Sequence, residues 1–144
     1  MIEAGACSST LRALGGFLER VDATEIGIID HDEYIEVSWR NRRGGREERY
    51  HDAVELGALR ISAELYRGAE DGSGRVGLSE LLRTLGQELD ELSVEGVAIA
   101  ATRDGFFATG RSKSGEISRT YLQSELIART QAYRRARAAK SKQT

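Results

Sequence analysis

The sequence predicts an α+β fold in which a unit of order α-β-β-β-α occurs twice, with antiparallel sheet flanked by helices and an internal pseudo-two-fold axis. The first observation is self-similarity: a shift of 71 residues places Leu11, Arg12, Leu14, Gly15 and Leu18 on Leu82, Arg83, Leu85, Gly86 and Leu89. The second is a change of apolar spacing, from helical to alternating and back, in each copy. The copies span about residues 8–68 and 79–138, and a glycine-rich linker at 69–77 joins them into a single domain.

The first helix of each copy is predicted from an apolar stripe. Its members are Leu11, Leu14, Leu18 and Val21 in the first copy, and Leu82, Leu85, Leu89 and Leu92 in the second. Each helix also carries an interior glycine, Gly15 or Gly86, where glycine costs about 1 kcal/mol relative to alanine. The repeated glycine predicts a close helix crossing, with simple inheritance from a duplicated ancestor as the alternative.

Three strands and a second helix complete each unit. Ile35, Val37 and Trp39 alternate with polar residues, which predicts a half-buried hairpin with the preceding TEIGIID, and GVAIAAT and GFFATG match them in the second copy. After a turn, REERY and EISRTY are predicted as edge strands, because their charge discourages pairing with other chains. The closing helices are predicted from Val54, Ala58, Ile61 and Leu65, and from Leu122, Leu126 and Tyr133. The pattern leaves open whether the two sheets join edge to edge or pack face to face.

Composition is that of an ordinary globular domain. The 144 residues are 40% hydrophobic and 31% charged, so a core can form without metals or disulfides. Cys7 is the single cysteine, and the sequence shows neither a signal peptide nor a long apolar run. We therefore expect a cytoplasmic protein without membrane association, and the sequence predicts no cofactor.

Charge is distributed unevenly along the chain. Residues 1–110 hold 12 Lys and Arg against 21 Asp and Glu, whereas residues 111–144 hold 9 against 2. Both turns between second and third strands carry cations, and more follow in the last helix. The candidate phosphate-binding residues are Arg42, Arg43, Arg46, Arg111, Lys113, Arg134, Arg135 and Arg137. Nucleic-acid binding is therefore the alternative function, although the acidic body would repel the same phosphates.

No catalytic or metal-binding residue is predicted. DHDE at 30–33 has the donor types of a metal site, but it lies where the hairpin must turn, and the second copy has TRDG there. His51 and Asp52 are expected at the polar entrance to a helix, with Asp52 as its cap. Cys7 is expected to be a buried or incidental thiol. An enzyme site in a cleft between the two copies is a further alternative that no local motif announces.

The predicted function is therefore binding, to a protein partner or to a second copy of the chain. The candidate anchors are the large amphipathic side chains Trp39, Tyr50, Tyr66 and Tyr133. For Trp39 the alternation with Ile35 and Val37 favours a place in the core instead.

Overall fold

The computed structural model describes residues 2–3, 5–65 and 75–142. The first half contains α1 (Cys7–Arg20), β1 (Thr24–Asp30), β2 (Ile35–Arg40), β3 (Arg46–His51) and α2 (Ala53–Leu65). The second half contains α3 (Leu78–Glu91), β4 (Glu95–Ala101), β5 (Gly105–Ser112), β6 (Gly115–Leu122) and α4 (Gln123–Lys142). Most of the predicted linker, and Tyr66 with it, lies outside the described residues.

Across the described residues, the six strands form one antiparallel sheet of order β3-β2-β1-β4-β5-β6. The α+β class with antiparallel sheet is thus confirmed. The halves meet in the middle of the sheet, where Gly27, Ile28 and Ile29 of β1 pair with β4. The question left open by the sequence is settled, because the halves join edge to edge. β3 and β6 lie at the two ends of the sheet, as their charge predicted.

The core lies between one face of the sheet and a layer of helices. Burial alternates along the central strands, with Ile26 and Ile28 of β1 and Val97 and Ile99 of β4 buried and their neighbours more exposed. The leucine stripes of α1 and α3 cover this face, and the three stripe leucines of each helix are fully buried. Burial of that apolar area supplies most of the favourable free energy of folding.

The two helix glycines lie at the crossing of α1 and α3. A Cβ on Gly86 would lie 2.5 Å from the Cα of Ser8, and a Cβ on Gly15 would lie 2.8 Å from the Cα of Ser79. Both distances are shorter than real Cβ contacts, so only glycine permits the two backbones to approach this closely. The predicted close crossing is confirmed, and it explains why the glycine occurs in both helices.

Each of these helices also caps the other. The main-chain N–H groups of Cys7 and Ser8 donate to the carboxylate of Asp90, at 2.8 and 3.1 Å. In return, the N–H of Ser79 donates to the carboxylate of Glu19 at 2.9 Å. The first N–H groups of a helix have no partner within it, and a carboxylate there also interacts favourably with the helix dipole. Neither helix therefore has a complete N-terminus without the other.

Two details differ from the sequence prediction. In α2, the predicted stripe faces solvent, since Val54 is 81% and Ile61 66% exposed. The residues that α2 buries are Leu56 and Ala63. In the last strand, Leu122 ends β6, and α4 begins at the next residue.

The other helix start agrees with its prediction. The N–H of Glu55 donates to the side chain of Asp52 at 2.9 Å, so Asp52 caps α2 as expected. His51, however, is a buried strand residue that is 3% exposed, and not part of a polar entrance. Within the described residues, no helix has the length and apolar character needed to cross a membrane.

Candidate functional site

The face of the sheet that turns away from the helices is the first candidate surface, and we call it the open face. Strand register places its side chains in rows that cross all the described strands. One row reads Tyr50, Glu36, Ile29, Ala98, Thr109 and Ser118, and the next reads Glu48, Ser38, Gly27, Ala100, Phe107 and Thr120. Charge is confined to the first-half end of these two rows.

The remainder of the open face forms an uncharged patch. Its members are Gly27, Ile29, Ala98, Ala100, Phe107, Thr109, Ser118, Thr120 and Leu122. Ile29 is 39%, Phe107 38% and Leu122 41% exposed. The patch has small residues along its middle and larger apolar groups around them. A contiguous uncharged surface is unusual on a chain with 31% charged residues, and loss of charge is typical of interface cores.

Aromatic side chains cluster at one corner of the sheet, beside the turn between β1 and β2. The rings of His31 and Tyr34 stack at 4.6 Å between centroids, and Tyr34 meets Tyr50 edge to face at 5.4 Å. His31 Nε2 also lies 3.2 Å from a carboxylate oxygen of Glu36. The corner extends the open face with amphipathic rings, which are common interface anchors.

A cavity of about 420 Å³ lies on the helix side of the sheet, at its β3 edge, and we call it the edge pocket. It is lined by Phe17, Val21, Trp39, Glu47, Glu48 and Arg49. Phe17 meets the Trp39 ring edge to face at 5.4 Å, and the Arg49 guanidinium lies over Phe17 at 5.3 Å from its centroid. Its size is within the usual range of ligand pockets.

Two buried polar side chains next to this pocket lack hydrogen-bond partners among the described residues. Trp39 is 3% exposed, and its indole N–H has no acceptor. Neither ring nitrogen of His51 makes a hydrogen bond either, although Nδ1 lies 3.5 Å from a Glu55 oxygen. Such groups are uncommon, because a buried polar group without a partner loses its bonds to water without replacement.

His51 predicts a pH dependence of stability. Burial is the main cause that lowers the pKa of His51 from 6.5, opposed by Glu55 and assisted by Arg49. As the pH falls through 6.5, the unfolded chain therefore binds this proton before the folded chain does, and the folded state loses stability. We expect the unfolding free energy to fall between about pH 6.5 and 5.5, by at most about 1.4 kcal/mol per pH unit, and His51→Phe to remove this slope. Urea titrations at several pH values measure it, and an equal slope in both proteins would contradict the assignment.

The basic residues of the hairpin tips do not form one surface. Because β1 and β4 run antiparallel, the turn between β2 and β3 and the turn between β5 and β6 lie at opposite ends of the sheet. In the first tip, Arg42 forms an ion pair with Asp22, and Arg46 donates to the main-chain oxygen of Glu25 at 2.8 Å. Arg43, Arg111 and Lys113 are exposed. The two tips therefore cannot contribute to one short basic patch.

The interface between α3 and α4 uses other predicted cations for packing. Glu80, Thr84 and Glu88 follow one another at helical spacing along α3, and each meets a partner on α4. Arg134 binds the Glu80 carboxylate, Thr130 meets Thr84 at 2.6 Å, and Arg129 pairs with Glu88. Glu80 is 5% exposed, so Arg134 neutralises a buried charge. Of the predicted phosphate-binding residues on α4, Arg135 and Arg137 are exposed.

The candidate anchors lie in different places. Tyr50 is 50% exposed and belongs to the aromatic corner, whereas Trp39 is buried, as its alternation with Ile35 and Val37 favoured. Tyr133 is partly buried on α4, and Tyr66 lies outside the described residues. Sequence reasoning missed Ile29, Phe107 and Leu122, although alternation within TEIGIID and GFFATG marks the first two as facing away from the core.

The groups that chemistry would need are dispersed. Burial, with the Asp90 carboxylate as a second cause, raises the pKa of the Cys7 thiol to about 12, so the thiol stays protonated at neutral pH. Over the described part of the chain, no three His, Cys, Asp or Glu side chains are grouped to hold a metal ion. No family model matches the chain, and neither a curated protein nor a solved structure is significantly similar to it.

Proposed function

We propose that this protein is a non-enzymatic protein-binding module that associates with a second copy of itself through the uncharged patch. The observation that supports the proposal is the patch itself, which combines exposed Ile29, Phe107 and Leu122 with an absence of charge among its members. Apolar surface that is exposed in one chain and covered in a complex favours association.

A second copy fits the patch for an electrostatic and a geometric reason. In a two-fold contact the same patch occupies both sides, so like residues face like surroundings. A charged patch would then meet its own charge, whereas an uncharged patch meets itself without repulsion. The middle of the patch, formed by Gly27, Ala98 and Ala100, is also flat enough for two sheets to stack at about 10 Å.

We also propose that the chain arose by internal duplication and that its halves are related by a pseudo-two-fold axis between β1 and β4. Features 71 residues apart support this. The glycine pair Gly15 and Gly86 is one, and the cap pair Glu19 and Asp90 is another. Left-handed backbone recurs at Asp22 and Ser93 and at Glu25 and Gly96, and β1 and β4 share a register shift at matching positions. The domain is then one fold made of two units.

The test of self-association is the molar mass in solution. We expect light scattering to give the mass of two chains for the wild type at concentrations up to about 100 µM. Ala100→Arg, which places a charge in the middle of the patch, should give the mass of one chain. Ile61→Arg is the matched control, because it replaces an exposed apolar residue on α2 and should leave the dimer intact. Circular dichroism checks that each variant is folded.

A wild type that stays monomeric throughout, or an Ala100→Arg dimer, would overturn the proposal. Nucleic-acid binding is the second candidate function, supported by the exposed Arg135 and Arg137 of α4. Titration with a mixed-sequence duplex at several salt concentrations distinguishes it. Affinity that falls steeply with salt, and that is lost on replacement of Arg42, Arg43, Arg46, Arg134, Arg135 and Arg137 together, would favour this second function.

A further inference from the structure

We infer that the β3 edge of the sheet binds an extended peptide segment of a partner protein, with an uncharged, bulky apolar side chain of that segment in the edge pocket. This inference rests on the proposed function, because the bound segment belongs to a protein partner. It concerns a different surface, since the edge pocket lies on the helix side of the sheet and the uncharged patch lies on the open face.

The first support is the free edge of β3. This strand pairs with β2 along Arg46 to His51, and no other strand of the described chain pairs with it. Alternate N–H and C=O groups on its outer side are therefore available to another strand. An added strand makes regular main-chain hydrogen bonds that do not depend on its sequence, so selectivity must come from side-chain pockets.

The second support is the position of the pocket directly beside this edge. Glu47 and Arg49 face the helix side, because they pair with Trp39 and Val37. Glu48 pairs with Ser38 and so faces the open side, yet it also lines the pocket. Main-chain atoms of β3 explain its place in the lining. The pocket therefore opens along the strand backbone, where a bound peptide would lie.

The third support is the chemistry of the pocket walls. Phe17, Val21 and Trp39 supply aromatic and aliphatic surface, and Phe17 is only partly buried. Glu47 and Arg49 carry opposite charges side by side, so the pocket has no net charge to recognise. These walls suit an uncharged apolar side chain such as that of leucine or phenylalanine.

The opposite edge of the sheet differs in this respect. In β6, Ile117 occupies the register position of Glu47, opposite Gly110, where β2 has Trp39. Nearby, Arg129 of α4 pairs with Glu88 of α3, which occupies the place of Phe17 at the 71-residue spacing. The second half therefore lacks the aromatic pair that forms the walls at the β3 edge, and the predicted binding is specific to β3.

Trp39 makes the inference directly measurable, because it is the single tryptophan of the chain and lines the pocket. The probes are short peptides of alternating threonine and valine, with lysine at the end for solubility and glycine, leucine or phenylalanine at the centre. We expect saturable changes in Trp39 emission, with affinity higher by about ten-fold or more for leucine and phenylalanine than for glycine. The absence of a saturable change, or equal affinity for the three peptides, would overturn the inference.

Two substitutions on β3 locate the site. Glu47→Phe places a side chain into the pocket and should weaken binding by about ten-fold or more. Glu48→Phe makes the same substitution one residue along the same edge, on the open side, and should leave affinity unchanged. Loss of binding in both variants, or in neither, would contradict the assignment to the pocket. Ala100→Arg should bind the peptides like the wild type, so this test and the test of self-association can fail separately.

Discussion

Gly86→Ala is expected to lower the free energy of unfolding by about 3 kcal/mol or more, among the largest effects of a single methyl group in this chain. The added Cβ would lie 2.5 Å from Ser8 Cα and 2.7 Å from Ser8 N. These are backbone atoms, so no side-chain rotation relieves the overlap, and α1 and α3 must move apart. Urea denaturation followed by Trp39 emission measures the loss.

Gly57→Ala is the matched control for this prediction. Gly57 is also a helical glycine, but no atom lies within 4 Å of its would-be Cβ. Here the higher helix propensity of alanine should raise stability, by about 0.5 to 1 kcal/mol. Equal effects of the two substitutions would mean that the crossing of α1 and α3 does not constrain Gly86.

Arg134→Met is expected to cost about 3 kcal/mol of stability, because it leaves the Glu80 carboxylate buried without its partner. Arg134 Nε donates to Glu80 at 2.9 Å, and a second nitrogen donates to the other carboxylate oxygen and to the main-chain oxygen of Arg75 at 2.7 Å. Arg135→Met, one residue along the same helix and exposed, should change stability by less than about 0.5 kcal/mol.

A double-mutant cycle separates the ion pair from the other contacts of Arg134. Glu80→Gln combined with Arg134→Met should recover part of the loss, because no buried charge then remains. If the single and double variants are equally destabilised, the buried charge is not the cause. If Arg134→Met is instead neutral, Arg134 is available for the phosphate contacts that the sequence suggested.

Much of the fold could be predicted because local and global signals agree. The leucine stripes of α1 and α3 have only one apolar side, and that side is the buried one. Gly15 and Gly86 stand within these stripes, where a flexible residue has no local advantage, so their presence indicated a contact with another element. The strands alternate clearly, which also marks β3 and β6 as polar and peripheral.

The parts that could not be predicted depend on choices that periodicity does not make. In α2 two sides are apolar, and the side with Leu56 packs on α1 while the side with Val54 remains exposed. The spacing of Val54, Ala58 and Ile61 is as regular as that of the buried set, so the sequence favoured the wrong side.

The two candidate surfaces were hidden for a similar reason. The uncharged patch combines residues from β1, β4, β5 and β6, and it becomes contiguous only when β1 pairs with β4. The edge pocket depends on Phe17 of α1 lying over Trp39 of β2. Neither arrangement leaves a local signal, because the residues involved are separated in sequence and ordinary in type.

The strand order has a consequence for synthesis on the ribosome. β1 is an interior strand of the finished sheet, but its partner β4 begins at Glu95, so β1 has one unpaired side until the second half has been made. At about 5 to 20 residues per second, that interval lasts several seconds. Throughout it α1 also lacks Asp90 at its N-terminus. The nascent first half is thus the aggregation-prone stage of this protein's life, and neighbouring chains on one messenger RNA are the partners within its reach.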